Sequence, residues 1–325
     1  MTIGSNDIAK SILYVNTVLG TVGLVVNLVS LSYFFRRRSE LGNAFLTYLN
    51  ITDAIVCLSM MIFNYSILIQ MNPSAGKNNY YLSFVILTSL HISRSSTIVT
   101  GIITIYLNVL RTSVIIWPMV RFRKTILHAS LIALMAIFVL TEMLMGIYFT
   151  YPFLGDLSRM FEETDERLPF THDNPFSNFM FIQFLCLGVP MLLAVMTCCF
   201  ASTAKLLSNG DDLHANGNRD SKRKAAITVL ILSVQYVVLK IITICLYILE
   251  FHYGKQKVES NSSGFKIDDL LLQLTTSVSL INSVLNPIVY IKRLKMLREH
   301  VIVMAKLIFE KVLLGVGNLL CRPTS

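Results

Sequence analysis

Charge is what this chain has least of. Asp, Glu, Lys and Arg make up 14% of its 325 residues while 54% are hydrophobic, against roughly 25% charged in a soluble domain. That balance excludes a soluble globular protein with a solvated surface. Cysteine is scarce too. Of six, Cys57, Cys186, Cys198, Cys199 and Cys245 fall inside apolar stretches and Cys321 lies near the carboxyl end, so no extracellular disulfide is expected. The six histidines, His91, His128, His172, His214, His252 and His300, stand apart. No two are spaced to hold a metal on one helix face. No nucleophile with its base, no metal-ligand set and no paired carboxylates occur at catalytic spacing, which argues against an enzyme.

What the chain has in abundance is apolar length. Seven stretches of about the 20 residues needed to cross a bilayer run near 11–35, 43–70, 81–110, 126–151, 176–207, 225–250 and 270–291. Lys and Arg set their orientation, because cytoplasmic segments collect them. With the amino end outside, the inner segments hold 18, among them Arg36 to Arg38, Lys222 to Lys224 and Lys292 to Lys295, against seven outside. The net charge of +9 therefore reads as topology and attraction to anionic inner-leaflet lipid, with no nucleic-acid partner implied. No cleavable leader is expected. The divisions expected are a short extracellular amino end over 1–10, a membrane domain over 11–291, and a cytoplasmic amphipathic helix with its tail over 292–325. Cys321 in that tail is a candidate for palmitoylation, and Asn261 for glycosylation.

The polar residues buried in these stretches carry the chemistry. Leu280 to Tyr290 holds Asn282, Ser283, Asn286, Pro287 and Tyr290 where a lipid-facing helix would carry Leu. A proline inside a spanning helix frees the carbonyl four residues back, and a polar neighbour or water must satisfy it. Asn282, Ser283, Asn286 and Tyr290 fall near one helical face and should point inward. Asp53 in the second stretch costs at least about 3 kcal/mol unless it finds partners. Polar residues at similar depth are Asn27, Thr100, Asn282, Ser283 and Asn286, an oxygen-lined set suited to water, Na+ or a proton. Arg94 in the third stretch and Lys240 in the sixth need a counter-charge or an anionic ligand; Glu142 is the other interior acid. The segment Tyr151 to Ser177 is acidic, with six Asp and Glu, and reads as a solvated loop able to steer cations.

Taken in order, Asn27, Leu49 to Asp53, Arg111 with Pro118 seven residues later, Pro190, and Asn286-Pro287-Ile288-Val289-Tyr290 give the chain its family likeness. It resembles a rhodopsin-like (class A) G-protein-coupled receptor over all seven stretches, and is similar to the invertebrate orphan or chemosensory-type members. The resemblance implies an all-α, seven-transmembrane helix bundle with a short amphipathic eighth helix on the cytoplasmic side. It implies a plasma-membrane receptor that senses an extracellular small molecule or peptide and activates a heterotrimeric G protein.

The same resemblance makes Arg111, Asn286, Pro287 and Tyr290 the coupling and activation switch. Ser93, Arg94 and Lys240 become the ligand pocket. Asp53, Thr100, Asn282, Ser283 and Asn286 become a sodium site; no other cofactor is implied. Departures from the family pattern bear on mechanism. Leu110 replaces the acid that usually precedes the third-helix Arg, and Thr112 replaces the Tyr that follows, so raised basal signalling is expected. The outer disulfide is missing, and the sixth stretch lacks the family's Trp and Pro, which makes a straighter helix. The alternative reading is a transporter or channel with Asp53 as its proton or cation site. Transporters often show internal repeats, and none is visible here.

Overall fold

The computed structural model describes residues 5–37, 41–70, 80–116, 126, 128–137, 139–140, 175–208, 227, 230–246, 248–249 and 267–320. Among the described residues there are eight helices and no strand. They are α1 (Ser5–Arg36), α2 (Leu41–Gln70), α3 (Tyr80–Ile116), α4 (His128–Ile137), α5 (Pro175–Ser208), α6 (Leu230–Leu246), α7 (Ile267–Arg293) and α8 (Lys295–Leu320). Helix is the one open structure that satisfies its own backbone in hydrocarbon, and the runs of Leu, Ile and Val leave no other stable choice there. The fold is thus all-α, as expected.

Four helices carry stretches long and apolar enough to cross a membrane: Lys10–Arg36, Asn43–Ile69, Cys186–Lys205 and Gln273–Lys292. The chain is a multi-span membrane protein. Of the seven spans expected, these are the first, second, fifth and seventh. The third coincides with α3, 37 residues long, whose buried face is polar at Ser93, Ser96, Thr100, Thr104 and Asn108. In the fourth and sixth the described residues form the shorter apolar helices α4 and α6.

Helix α1 starts at Ser5, so much of the expected amino end over 1–10 is helical. The eighth helix is 26 residues long rather than short. The acidic segment 151–174, Glu142, Asn261 and Cys321 lie outside the described residues.

Helix α2 lies at the centre, packed against α1, α3 and α7; α5 packs on α3, and α8 on α1 and α7. Two apolar clusters fill the interior. One gathers Phe34, Phe45, Leu49, Ile103, Leu107, Leu131, Tyr290 and Leu297. The other gathers Val56, Cys57, Met60, Phe63, Ile86, Leu90 and Leu280. Along α2 and α7 the polar residues Asp53, Ser283 and Asn286 stand between the two. Facing away from the core, Val15, Val18, Val22 and Val25 form an exposed stripe on α1. Their spacing of three and four residues is one helix face, and lipid is the solvent that such a face requires.

Helix α8 is fixed to its neighbours along one face, which carries Met296, Leu297 and His300. Leu297 is fully buried in the first cluster, and His300 Nε2 meets Ser32 Oγ of α1 at 2.9 Å. Arg37 lies 5.0 Å from the centroid of the Tyr33 ring and donates to Met296 Sδ at 3.3 Å.

Two glycines let α1 close on α2. A Cβ at Gly23 would stand 2.6 Å from both Cys57 Sγ and Val284 Cγ2, and one at Gly20 would stand 3.1 Å from the Cys57 carbonyl oxygen. Small residues at such crossings allow helices to approach closely in lipid. Gly23→Val is therefore expected to cost at least about 2 kcal/mol of stability by overpacking. Thermal unfolding in detergent should show a markedly lower midpoint for Gly23→Val than for Gly20→Ala, whose contacts are looser.

Candidate functional site

Pro287 lies inside α7 and is buried. Its ring nitrogen has no proton, so the helix bond to the carbonyl of Ser283 cannot form. That carbonyl accepts from Asn27 Nδ2 of α1 at 3.0 Å, and the second proton of the same amide goes to the Gly23 carbonyl at 2.9 Å. Asn27 thus replaces the missing backbone donor and ties α1 to α7. By depth alone Asn27 is a candidate partner of Asp53. Its amide protons are instead engaged by the two carbonyls.

Asp53 is fully buried on α2. Its Oδ2 accepts from Asn286 Nδ2 at 2.7 Å, and its Oδ1 from Ser283 Oγ at 3.1 Å and Thr100 Oγ1 at 3.3 Å. Thr100 has one hydroxyl proton and also faces Thr52 Oγ1 at 3.1 Å, so it serves one acceptor at a time. Among the described residues no Lys, Arg or His forms an ion pair with Asp53. Neutral donors from α3 and α7 stabilise the carboxyl group. A buried carboxyl group needs such partners, since one without them is among the costliest things a membrane interior can hold.

The network continues to α6. Gln235 Nε2 donates to Asn286 Oδ1 at 3.4 Å, so the amide of Asn286 gives to α2 and receives from α6. Asp53, Asn286 and Gln235 form a chain across three helices. Thr52 and Gln235 were not foreseen. Thr52 is adjacent to Asp53 in the chain, and Gln235 is a lone amide in an apolar run, which marks it as polar but not as a partner of Asn286.

Of the five residues expected around a sodium ion, Asp53, Thr100, Ser283 and Asn286 come together. Asn282 does not join them. Consecutive residues diverge by about 100° on a helix, so Ser283 and Asn282 cannot both face Asp53. The Oδ1 of Asn282 is buried without a hydrogen-bond partner. A hard cation takes oxygen ligands, and the carboxylate of Asp53 with the hydroxyls of Thr100 and Ser283 fits that demand. Asn286 does not, since it turns its N–H toward Asp53 and its oxygen toward Gln235. Among the described residues no group of three His, Cys, Asp or Glu is placed to hold a metal.

The remaining expected residues occupy other levels. Tyr290 is buried in the first apolar cluster, its ring 5.6 Å from that of Phe34 and nearly perpendicular to it. Arg111 belongs to α3, about 16 Å along the axis from Thr100 at 1.5 Å per residue; its side chain lies outside the described residues. Ser93 is fully buried and its hydroxyl has no hydrogen-bond partner, whereas the adjacent Arg94 is half-buried. Lys240 is half-buried on α6, one and a half turns from Gln235.

No protein-family model and no curated protein sequence matches this chain.

If the Asp53 carboxyl group is the common acceptor for α3 and α7, Asp53→Ala strands the donors of Ser283 and Asn286, while Thr100 keeps Thr52. The expected loss is on the order of 3 kcal/mol, read as a lower unfolding midpoint in detergent. Thr100→Val, which removes one shared donor, should cost about 1 kcal/mol. Equal and small effects from both would show that the carboxyl group does not hold the helices together.

Proposed function

We propose that this chain is a rhodopsin-like G-protein-coupled receptor, a seven-helix protein of the plasma membrane with its amino end outside and its carboxyl end in the cytoplasm. It senses an extracellular small molecule or peptide and activates a heterotrimeric G protein. The observation that carries this reading is the centre where Asp53 of α2 accepts from Ser283 and Asn286 of α7, while Asn27 of α1 serves the carbonyl that Pro287 frees. Asn27, Asp53 and Asn286, three of the residues on which the resemblance rests, meet there through Ser283 and direct hydrogen bonds.

In this reading the receptor works by population shift. Ligand contacts near Ser93, Arg94 and Lys240 favour an arrangement in which α6 moves outward at its inner end. Arg111 and Tyr290 are then released toward the G protein. A sodium ion on Asp53, Thr100 and Ser283 supplies positive charge that the neutral donors lack and favours the inactive arrangement. With Leu110 in place of an acid, Arg111 has no adjacent carboxylate to hold it, so the ligand-free receptor signals above background.

The Asp53 centre also fits a proton- or cation-coupled transporter, because a fully buried carboxyl group ringed by neutral donors is a site for a small cation in either class. Basal activation of G-protein reporters, compared between wild type and Arg111→Ala at matched surface levels, separates the two. The receptor reading expects a wild-type signal above empty cells that Arg111→Ala removes. No signal from a well-expressed chain, together with a membrane flux that Asp53→Asn abolishes, would replace it with the transporter.

A further inference from the structure

Helices α1, α2 and α7 meet at one tight point, where a Cβ at Gly23 would stand 2.6 Å from both Cys57 Sγ and Val284 Cγ2. Two helix turns, about seven residues, bring the same faces round again. Two turns toward the amino end of α1 stands Asn16, and two turns toward the carboxyl end of α2 stands Asn64. Two turns toward the amino end of α7 stands Ser277, with Gln273 one turn beyond it. This second level is polar where the first is not.

The level is tied together on one side. Ser277 Oγ faces Asn16 Oδ1 at 2.8 Å and the Gln273 carbonyl at 2.7 Å; its single proton serves one of them at a time. The head of Asn16 therefore lies against the backbone of Gln273. Three side-chain atoms at this level have no hydrogen-bond partner among the described residues: Asn16 Nδ2, Asn64 Oδ1 and Gln273 Oε1. Asn16 is 1% exposed, Asn64 0% and Gln273 6%, so bulk solvent does not serve them.

We propose that these three atoms form the binding site of one ordered water molecule that joins α1, α2 and α7. The match is one of hydrogen-bonding capacity. The site offers an amide donor and two carbonyl acceptors, and water accepts from the first while its two protons go to the others. Buried water characteristically makes about three hydrogen bonds, to polar groups that would otherwise go without. Ions fit less well. A cation takes oxygen ligands and is opposed by the Asn16 N–H, while an anion is opposed by the two oxygens. Asp53 lies three turns from Asn64, about 16 Å along α2, and Val56, Cys57, Met60 and Phe63 of the second apolar cluster stand between them. The water is thus distinct from the sodium ion proposed at Asp53. It rests on the contacts of three helices and holds for a receptor and a transporter alike.

The test uses the full chain, first by crystallography from a lipid mesophase at a resolution that shows ordered solvent. One density peak about 2.9 Å from each of Asn16 Nδ2, Asn64 Oδ1 and Gln273 Oε1 is expected. Amides bonded directly to one another, or no peak shared by the three helices, would overturn the site. So would a peak about 2.4 Å from three oxygens with the Asn16 amide turned over, which is cation geometry.

Thermal unfolding in detergent gives a second reading, in which the sign of the change decides. Gln273→Leu takes a partner from the water and should lower the midpoint by about 3 °C. Asn64→Leu should do the same, and the two together should cost less than their sum, because both serve one water. Were these oxygens without a partner, leucine would remove a buried unsatisfied group and raise the midpoint. A raised midpoint, or losses that simply add, would overturn the proposal. Should either variant fail to fold, the wild-type density decides.

Discussion

One missing backbone proton sets the arrangement of this molecule. Pro287 cannot bond the Ser283 carbonyl, and in a membrane interior no bulk water is at hand to do so. Asn27 on a different helix supplies the donor, and doing so fixes the height and rotation of α1 against α7. The close approach this demands explains why Gly23, one turn from Asn27, has no room for a side chain beside Cys57 and Val284. Once α7 is held in that register, Ser283 and Asn286 face Asp53. The carboxyl group then has its donors, and among the described residues no Lys, Arg or His pairs with it.

The polar centre is narrow, and its position between two apolar clusters matters. Above and below it the helices pack with aliphatic and aromatic side chains, which exclude water and make each central hydrogen bond costly to leave unmade. Helix α6 is held differently. Gln235 meets Asn286 of α7 and Ser233 meets Asn108 of α3, both through neutral side chains.

Much of this centre was legible in the chain. A proline in a span announces a freed carbonyl, and a carboxyl group at that depth announces partners on neighbouring helices, so Asp53, Thr100, Ser283 and Asn286 could be grouped from residue type and depth. Partner choice was not legible. Whether Asn27 meets Asp53 or the Ser283 carbonyl depends on helix rotation, which composition does not encode, and the exclusion of Asn282 follows from the same 100° step. Gln235, Asn108 and Ser233 gave only the weak signal of a polar residue in an apolar run. Span count was legible from hydropathy for α1, α2, α5 and α7. Helix α3, expected as the third span, is not among the helices apolar enough to cross, because its inward face is a ladder of Ser, Thr and Asn that bond their own helix, as Thr104 and Asn108 do.

The relation between Asn27 and Pro287 is open to a direct measurement: the thermal stability of Asn27→Ala in the natural chain and in a Pro287→Ala background. Alanine at 287 restores the backbone donor, so Ser283 no longer needs help from α1. Asn27→Ala should cost about 2 kcal/mol in the natural chain and well under half of that beside Pro287→Ala, a coupling expected when two groups serve one acceptor. Equal costs in the two backgrounds would mean that Asn27 is not there for the carbonyl that Pro287 frees, and the arrangement of α1 and α7 would need another cause.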